Sequence, residues 1–187
     1  MSIHAVPVPK GSHLYKQVKA LYHQGFPPVE RMPAFLFDQL IRLGRGKWVA
    51  YMDGNQLVGF TFLIYHKDLL YIHYFATDEA FHGQGYGSKI LDHLKVVHPH
   101  KRLFLYIEAP WQPGAYNPGQ RHKRLAFYLR NDLTPAGVSY EERGHCYDLL
   151  SYRCQITKAE AAAVLTMLTT IPLPSYFLPH VFDSPSL

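Results

Sequence analysis

The sequence predicts an α/β (α+β) protein whose mixed, mostly antiparallel, seven-stranded sheet is flanked by helices. Three observations predict this fold. Two apolar runs surround Asp53-Gly54-Asn55, which is typical of a β-hairpin. Residues 69–76 are almost continuously apolar, as in a strand that is covered on both faces. A helix, a strand and a second helix follow that run, which adds a strand–helix–strand unit to the hairpin.

The first half of the chain predicts a strand, two helices and three further strands. Ser12 is placed to cap the first helix, whose apolar residues recur on one face. Three prolines in residues 26–33 end it. The second helix carries apolar residues at the same spacing and stops near Gly44 and Gly46. The three strands are expected at residues 48–52, 56–65 and 69–76.

The second half predicts a glycine-rich loop, a helix, a strand, a helix, two strands and an additional C-terminal helix. Thr157 and Glu160 have the spacing of a capping box, so the last helix is expected to begin there and to reach about residue 170. A Pro-rich tail follows it. We therefore expect one domain over residues 1–155 and an appended helix and tail over residues 156–187.

Composition restricts the class of protein. The chain has 187 residues, of which 48% are hydrophobic, and a formal net charge of +5, which suits an anionic ligand as well as nucleic acid. The two cysteines lack the spacing of a disulfide framework or a zinc site, so a reducing cytoplasm is expected and a metal is not. The longest apolar run is far shorter than the roughly 20 residues of a membrane helix.

The loop with Gly83, Gly85 and Gly87 is the strongest functional signal. A helix N-terminus presents unpaired N–H groups and a positive dipole end, and a preceding loop without Cβ atoms can hold phosphate against them. The spacing lacks the Gly-Lys-Ser/Thr ending of a nucleotide P-loop and the G-x-G-x-x-G step of a dinucleotide turn. A glycine-rich turn that only makes a tight connection explains the glycines equally well at this point.

Two motifs resemble those of the GNAT superfamily of N-acetyltransferases. The family has Arg or Gln, two residues, Gly, one residue and Gly or Ala between a buried strand and a helix; here the segment reads His82-Gly83-Gln84-Gly85-Tyr86-Gly87. Residues 123–131, KRLAFYLRN, are similar to the family's later helix. The resemblance covers about residues 3–153 and implies a GNAT-like sheet and acyl-CoA-dependent acetyl transfer.

Three positions depart from the family pattern. His82 replaces Arg or Gln, which makes one phosphate contact weaker or pH-dependent. Arg121 stands where many members have an Asn that holds the cofactor arm. Asp132 stands in place of a Gly, a mild change because Asp tolerates a left-handed backbone better than most residues.

By resemblance, acetyl-CoA or another acyl-CoA is the co-substrate. Its diphosphate is expected on the N–H groups of residues 83–88, its pantetheine arm beside the central strand, and its thioester carbonyl near the N–H at about Thr77. The 3′-phosphate is expected near the basic start of the later helix. The predicted cofactor-binding residues are Phe75, Ala76, Thr77, His82, Gly83, Gln84, Gly85, Tyr86, Gly87, Ser88, Arg121, Arg124 and Phe127.

The predicted catalytic residues are Tyr128, Glu30, His73 and Glu108. Tyr128 lies in the later helix motif and is the candidate acid that reprotonates the departing CoA thiolate, because a neutral phenol is present at working pH. His73 on the central strand, Glu108 at the end of the next strand and Glu30 in the Pro-rich loop are alternatives for the base. A structural role explains each of these residues as well.

The acceptor is expected to be a primary amine, either a small molecule or a peptide or protein N-terminus, attacked directly in a ternary complex. Aromatic residues in the predicted acceptor-site loops would suit an arylalkylamine or an apolar peptide end: Phe26, Phe35, Phe37, Trp111 and Tyr116. The alternative function is a non-catalytic acyl-CoA-binding regulatory module. Nucleic acid and membrane are not expected partners, and the apolar tail is the candidate contact of a homodimer.

Overall fold

The computed structural model describes residues 2–142, 144–168 and 179–185. The chain divides into two compact units, Met1–Lys101 and Arg102–Leu187. The predicted α/β fold is confirmed, with eight strands in the described residues in place of the seven that the sequence predicts. Among the described residues, no helix has both the length and the apolar character needed to cross a membrane.

The described residues of the first unit form four strands and three α-helices. The strands are β1 (Ile3–Pro7), β2 (Gly46–Asp53), β3 (Gln56–His66) and β4 (Leu69–Thr77). The helices are α1 (His13–Gly25), α2 (Ala34–Arg42) and α3 (Tyr86–Val97). The strands are ordered β1-β2-β3-β4, and each described pairing in this unit is antiparallel.

Local sequence signals explain several boundaries of this unit. The Ser12 hydroxyl accepts a hydrogen bond from the Tyr15 N–H at 3.0 Å, which confirms the predicted cap of α1. The predicted hairpin joins β2 to β3, and its Gly54 has a φ of 57°, which glycine adopts without a steric penalty. The core between α1, α2 and the strands is aromatic, because Tyr22, Phe37 and Trp48 contact one another edge to face or tilted.

The described residues of the second unit form four strands and two α-helices. The strands are β5 (Arg102–Glu108), β6 (Leu133–Glu142), β7 (His145–Tyr152) and β8 (His180–Asp183). The helices are α4 (Pro118–Arg130) and α5 (Lys158–Thr166). The strand order is β5-β7-β6-β8, again with antiparallel pairing throughout the described part of the unit.

The C-terminal region differs in part from the expectation. The capping box of Thr157 and Glu160 is present, as predicted, but α5 ends at Thr166. Residues 167 and 168 form a turn instead of continuing the helix, and the predicted helical residues 169 and 170 and most of the tail lie outside the described residues. Beyond them, β8 pairs with β6 from Val138↔Asp183 to Glu141↔His180, so the end of the chain contributes a strand to this unit.

Candidate functional site

The loop between β4 and α3 adopts the open backbone that a phosphate site requires. A turn of 3-10 helix, Glu79–Phe81, begins where the Asp78 carboxylate accepts from the Ala80 N–H at 2.9 Å. Gly83 and Gly85 then have φ values of 76° and 80°. No described atom lies within 4 Å of the position that a Cβ would take on either residue. The two glycines therefore leave free space in front of the backbone.

The N-terminus of α3 faces that free space with unpaired donors. Gly85 is its N-cap, and no side chain in the described residues caps the helix. The first turn, Tyr86 to Lys89, carries no carboxylate that would compete for the N–H groups. The free N–H groups and the positive end of the helix dipole together form a candidate anion-binding site.

Tyr86 uses its side chain to hold this helix against β2. Its hydroxyl donates to Asp53 Oδ2 at 2.6 Å, and this hydrogen bond, ahead of burial, raises the pKa of Tyr86. Phe81 contacts the same ring edge to face, and the Lys89 ammonium lies 5.1 Å from its centroid. The hydroxyl of Tyr86 is therefore engaged, and its backbone N–H is the donor that remains for an anion.

The side chains of His82 and Gln84 fold back on the loop. His82 Nε2 donates to the Thr77 carbonyl at 3.2 Å, and Gln84 Nε2 donates to the Ala80 carbonyl at 3.3 Å. His82 thus links the loop to the end of β4. Both side chains are exposed.

Phe75, Ala76 and Thr77 form the half-buried end of β4. Gly59 on β3 lies opposite Thr77, and a Cβ on Gly59 would lie 2.8 Å from the Ala76 carbonyl oxygen and 2.9 Å from Ile90 Cδ1. Only glycine fits there, so β3, β4 and α3 approach closely just before the phosphate loop.

A β-bulge interrupts β4 at His73. Phe62 pairs with Tyr74 and Leu63 with Ile72, so His73 is an extra residue on β4. Its Nδ1 lies 3.0 Å from the Tyr71 hydroxyl, whereas its buried Nε2 has no hydrogen-bond partner in the described part of the chain. Burial lowers the pKa of His73 to about 3, so the imidazole is neutral at neutral pH.

The Pro-rich loop that carries Glu30 is held by its backbone. The Tyr74 hydroxyl donates to the Glu30 carbonyl at 2.7 Å, and the Met32 N–H donates to the hydroxyls of Tyr74 and Tyr22 at 2.8 and 3.1 Å. Arg31 donates to the carbonyls of Phe26 and His23, both at 2.7 Å. We refer to this set of bonds as the tyrosine clamp. It fixes the loop and leaves the Glu30 side chain exposed.

Three of the aromatic residues predicted near the acceptor lie in the first unit, and they divide into a packed group and an exposed one. Phe37 is buried in the core, and Phe26 packs on Tyr74 at a centroid distance of 4.8 Å. Phe35 is exposed, as is the neighbouring Val29 in the clamped loop. Phe35 and Val29 are therefore the apolar side chains of this region that a ligand could reach.

In the second unit, Glu108 is the centre of an ion-pair cluster. Its two oxygens accept from Arg121 at 3.0 Å and from Arg124 at 2.7 Å. The Arg121 side chain is 3% exposed and also donates to the Ala109 carbonyl and to Gln112 Oε1. The Arg124 side chain keeps 43% of its surface exposed. A ligand can therefore reach the Arg124 guanidinium, whereas Arg121 would first have to leave the protein interior.

Sequence reasoning missed the residues that fix the loop after β5. The Gln112 side chain accepts from the Cys146 N–H and donates to the Gly144 carbonyl. The Trp111 Nε1–H donates to buried Asp148, which also accepts from Ser139. An isolated Gln or Asp in a loop or strand carries no local pattern, so only the strand register could have identified these contacts.

Tyr128 lies on α4 and is 8% exposed. Burial raises its pKa to about 12, partly offset by the Arg124 charge. No described residue forms a hydrogen bond with its hydroxyl, and Phe127 contacts its ring edge to face at 5.1 Å. The phenol is therefore a protonated donor throughout the neutral pH range.

Comparisons with known proteins agree with this geometry. The model of the Acetyltransferase (GNAT) family matches residues 15–117. A search of the curated proteins finds no match. Among solved structures, a candidate acetyltransferase from the GNAT family of Bacteroides thetaiotaomicron is similar with a TM-score of 0.72 and 21% identity, covering 90% of this chain and 97% of its own.

Two further structures contain a cofactor or an analogue. A GNAT family acetyltransferase from Elizabethkingia anophelis with acetyl-CoA bound has a TM-score of 0.56 and 16% identity, covering 81% of this chain and 98% of its own. Naa50 of Arabidopsis thaliana, in complex with the bisubstrate analogue CoA-Ac-MVNAL, has a TM-score of 0.58 and 15% identity, covering 80% and 98%. At these identities the likeness shows the fold.

Proposed function

Because the chain belongs to the GNAT acetyltransferase family, we propose that it transfers the acetyl group of acetyl-CoA to a primary amine. The acceptor is a small molecule or a peptide or protein N-terminus, and it attacks directly in a ternary complex. The observation that carries the proposal is the free space beside Gly83 and Gly85 in front of the uncapped N-terminus of α3. Left-handed glycines in open space also occur in simple turns of this chain, for example at Gly11 and Gly54, so the support comes from their position directly before an uncapped helix N-terminus.

The end of β4 and the loop after it would bind the arm and the diphosphate of acyl-CoA. The diphosphate accepts hydrogen bonds from the N–H groups of residues 83–88, and His82 contributes from the loop start. The arm follows Phe75, Ala76 and Thr77 with main-chain hydrogen bonds, as an added strand does. Arg124 meets the 3′-phosphate; we favour it over Arg121, whose guanidinium is buried against Glu108.

In the reaction, the amine nitrogen attacks the thioester carbonyl carbon and forms the C–N bond. The carbonyl electrons move to oxygen, where backbone N–H groups of β4 stabilise the charge. The C–S bond then breaks, and the CoA thiolate takes a proton from Tyr128. Before the attack, the ammonium form of the acceptor loses one proton to Glu30 or, through water, to bulk solvent. The nitrogen releases its second proton to solvent as the amide forms, and a proton from solvent returns the Tyr128 phenolate to the phenol.

Among the candidate bases, we assign the leading role to Glu30. His73 is too weak a base at neutral pH, because burial lowers its pKa to about 3. Both oxygens of Glu108 are engaged by Arg121 and Arg124. Glu30 is exposed on a loop that the tyrosine clamp positions, and its carboxylate would bind the acceptor ammonium before accepting its proton.

Titration with acetyl-CoA and measurement of thiol release with a panel of amines test the proposed function. The panel contains alkylamines, arylalkylamines and peptides with free N-termini. We expect saturable binding and thiol release that depends on the amine. The absence of binding at millimolar acetyl-CoA would refute the proposal, and binding without amine-dependent release would identify a non-catalytic acyl-CoA-binding module.

Replacing Glu30 by Gln tests the assignment of the acceptor site. The expected result is an acceptor KM about tenfold higher, equivalent to roughly 1.4 kcal/mol, or a lower kcat, with unchanged acetyl-CoA affinity. The clamp bonds the backbone of Glu30, so the loop should keep its position in the variant. Asp38→Asn, which removes a carboxylate on α2 paired with Lys10, is the matched control and should leave both constants unchanged. A change confined to acetyl-CoA affinity would contradict the assignment.

We further propose that the protein acts in the reducing cytoplasm. Neither Cys146 nor Cys154 forms a disulfide in the described part of the chain. Burial raises the pKa of the Cys146 thiol, so it is a poor nucleophile at neutral pH and is not proposed to carry an acyl group.

A further inference from the structure

His73 presents a hydrogen-bonding group that pairs with no other described residue. Its Nε2 is buried and makes no hydrogen bond to any described residue, although the residue as a whole keeps some exposed surface. A buried polar atom without a partner destabilises the fold, and an apolar side chain of similar size would avoid this cost. The imidazole therefore needs an explanation other than stability of the free protein.

The contact with Tyr71 determines whether the unpaired Nε2 of His73 is a hydrogen-bond donor or an acceptor. A phenol O–H is a stronger donor than an imidazole N–H, and an imidazole nitrogen is a stronger acceptor than a phenol oxygen. Tyr71 therefore donates to Nδ1 across the 3.0 Å contact, and the proton of the neutral ring resides on Nε2. The unpaired group is an N–H donor, which requires an acceptor atom from a ligand.

The position of His73 on β4 indicates which part of the ligand supplies that acceptor. Acyl-CoA is proposed to place its diphosphate at residues 83–88, beyond the C-terminal end of β4. The arm between the diphosphate and the sulfur contains two amide groups, so it extends back along the strand past Thr77. The acyl end consequently points toward the half of β4 that contains the bulge, and a bulge redirects the side chain it carries.

We propose that the Nε2–H of His73 donates a hydrogen bond to the thioester carbonyl oxygen of bound acyl-CoA. This inference rests on the proposed function and adds a side-chain donor to the backbone N–H groups of β4. The attacking amine forms the C–N bond, the carbonyl electron pair moves to the oxygen, and His73 stabilises that oxygen without releasing its proton. The electron pair then returns as the C–S bond breaks. His73 is thus a catalytic residue, but it is not the base.

His73→Phe tests the proposal because it removes the donor and keeps a ring of similar size. We expect the variant without ligand to melt at a higher temperature, because the unpaired group is gone. We expect kcat to fall about 100-fold, the usual effect of losing one such donor. The preference for acetyl-CoA over CoA in binding should also decrease, and the carbonyl stretching frequency of bound ¹³C-acetyl-CoA should rise toward that of the free thioester.

Two further variants separate catalysis from structure. His73→Gln keeps an N–H donor and should recover part of the lost kcat. His93→Phe is the matched control, since His93 is also half-buried and contacts an aromatic ring, that of Tyr51 at 5.8 Å. It should leave kcat and the carbonyl frequency unchanged.

Several outcomes would overturn the inference. An unchanged kcat and carbonyl frequency in His73→Phe would make His73 a structural residue. Equal losses of affinity for acetyl-CoA and CoA would place the contact on the arm instead of the carbonyl. If His73→Phe does not fold, His73→Leu and His73→Ala replace it. An unchanged carbonyl frequency in His73→Leu or wild-type kcat in His73→Ala would then make His73 a structural residue. A wild-type protein that fails to bind acetyl-CoA at all would refute the proposed function itself.

Discussion

Gly85→Val is expected to remove acetyl-CoA binding while the protein stays folded. Valine at this position would place its side chain in the free space beside the N-terminus of α3, where the diphosphate is proposed to bind. Loss of two phosphate hydrogen bonds of roughly 1.5 kcal/mol each raises Kd about 100-fold, and steric exclusion of the phosphate adds to this. Calorimetric titration with acetyl-CoA and with CoA measures the effect, which should be the same for both ligands.

Gly11→Val provides a matched control for backbone strain. Gly11 has a φ of 82°, against 80° for Gly85, and no described atom lies within 4 Å of its Cβ position either. Both variants should lose similar stability, because a β-branched residue is strained in the left-handed region. Only Gly85→Val should lose affinity. Equal affinities in the two folded variants would show that the diphosphate binds elsewhere.

Tyr128→Phe is expected to lower kcat by about 10²- to 10⁴-fold with little change in acetyl-CoA affinity. The substitution removes the hydroxyl that is proposed to protonate the CoA thiolate, and contributions of this size are usual for a positioned acid. Steady-state kinetics with a responsive amine and calorimetric binding of acetyl-CoA measure the two quantities. Tyr140→Phe is the matched control, because Tyr140 is also 8% exposed but lies on β6. An unchanged kcat in Tyr128→Phe would exclude Tyr128 from the reaction.

The pH dependence of the wild-type rate gives a second test of Tyr128. Burial raises its pKa to about 12, so the protonated phenol predominates at every lower pH. The rate should therefore show no alkaline decline caused by Tyr128 between pH 8 and about pH 11. A decline that is present in the wild type and absent in Tyr128→Phe would show that the pKa of Tyr128 is ordinary or lowered. That result would contradict a pKa raised by burial.

Patterns within a few residues predicted most of the fold. Ser12, the Asp53-Gly54-Asn55 turn and the pair of Thr157 and Glu160 are confirmed as a helix cap, a hairpin and a capping box. The left-handed backbone expected at Asp132 is also present, with a φ of 60°. In each case a local hydrogen bond or a single backbone conformation determines the structure.

Features that depend on distant partners were not predictable. The four residues of β8 follow a Pro-rich stretch and form a strand only because β6 offers an open edge, so the expected number of strands was one too low. The ion pairs of Glu108 join it to residues 13 and 16 positions later. The bulge at His73 depends on the register of β3, and it interrupts the alternation of side chains that a sequence pattern assumes.

For the loop after β4, the sequence predicted the type of site but not the roles of the surrounding residues. The motif from His82 to Gly87 predicted an anion site, and the left-handed glycines and uncapped helix agree with it. The roles of His73, Glu30, Glu108 and Tyr128 stay predictions, because a residue type in a motif does not specify burial or hydrogen bonding. His73 is a buried neutral imidazole and Glu30 an exposed carboxylate, and this difference is known only from the three-dimensional contacts.

The tyrosine clamp has a consequence for how such an enzyme can diversify. The clamp bonds main-chain atoms of Glu30 and Met32. The backbone conformation of the loop therefore does not depend on which side chains occupy positions 29 and 30. Mutations at those two positions would therefore alter the proposed acceptor site while Tyr22 and Tyr74 keep the backbone of the loop in place. Laboratory evolution toward another acceptor should accordingly randomise positions 29, 30 and 35 and leave both tyrosines untouched.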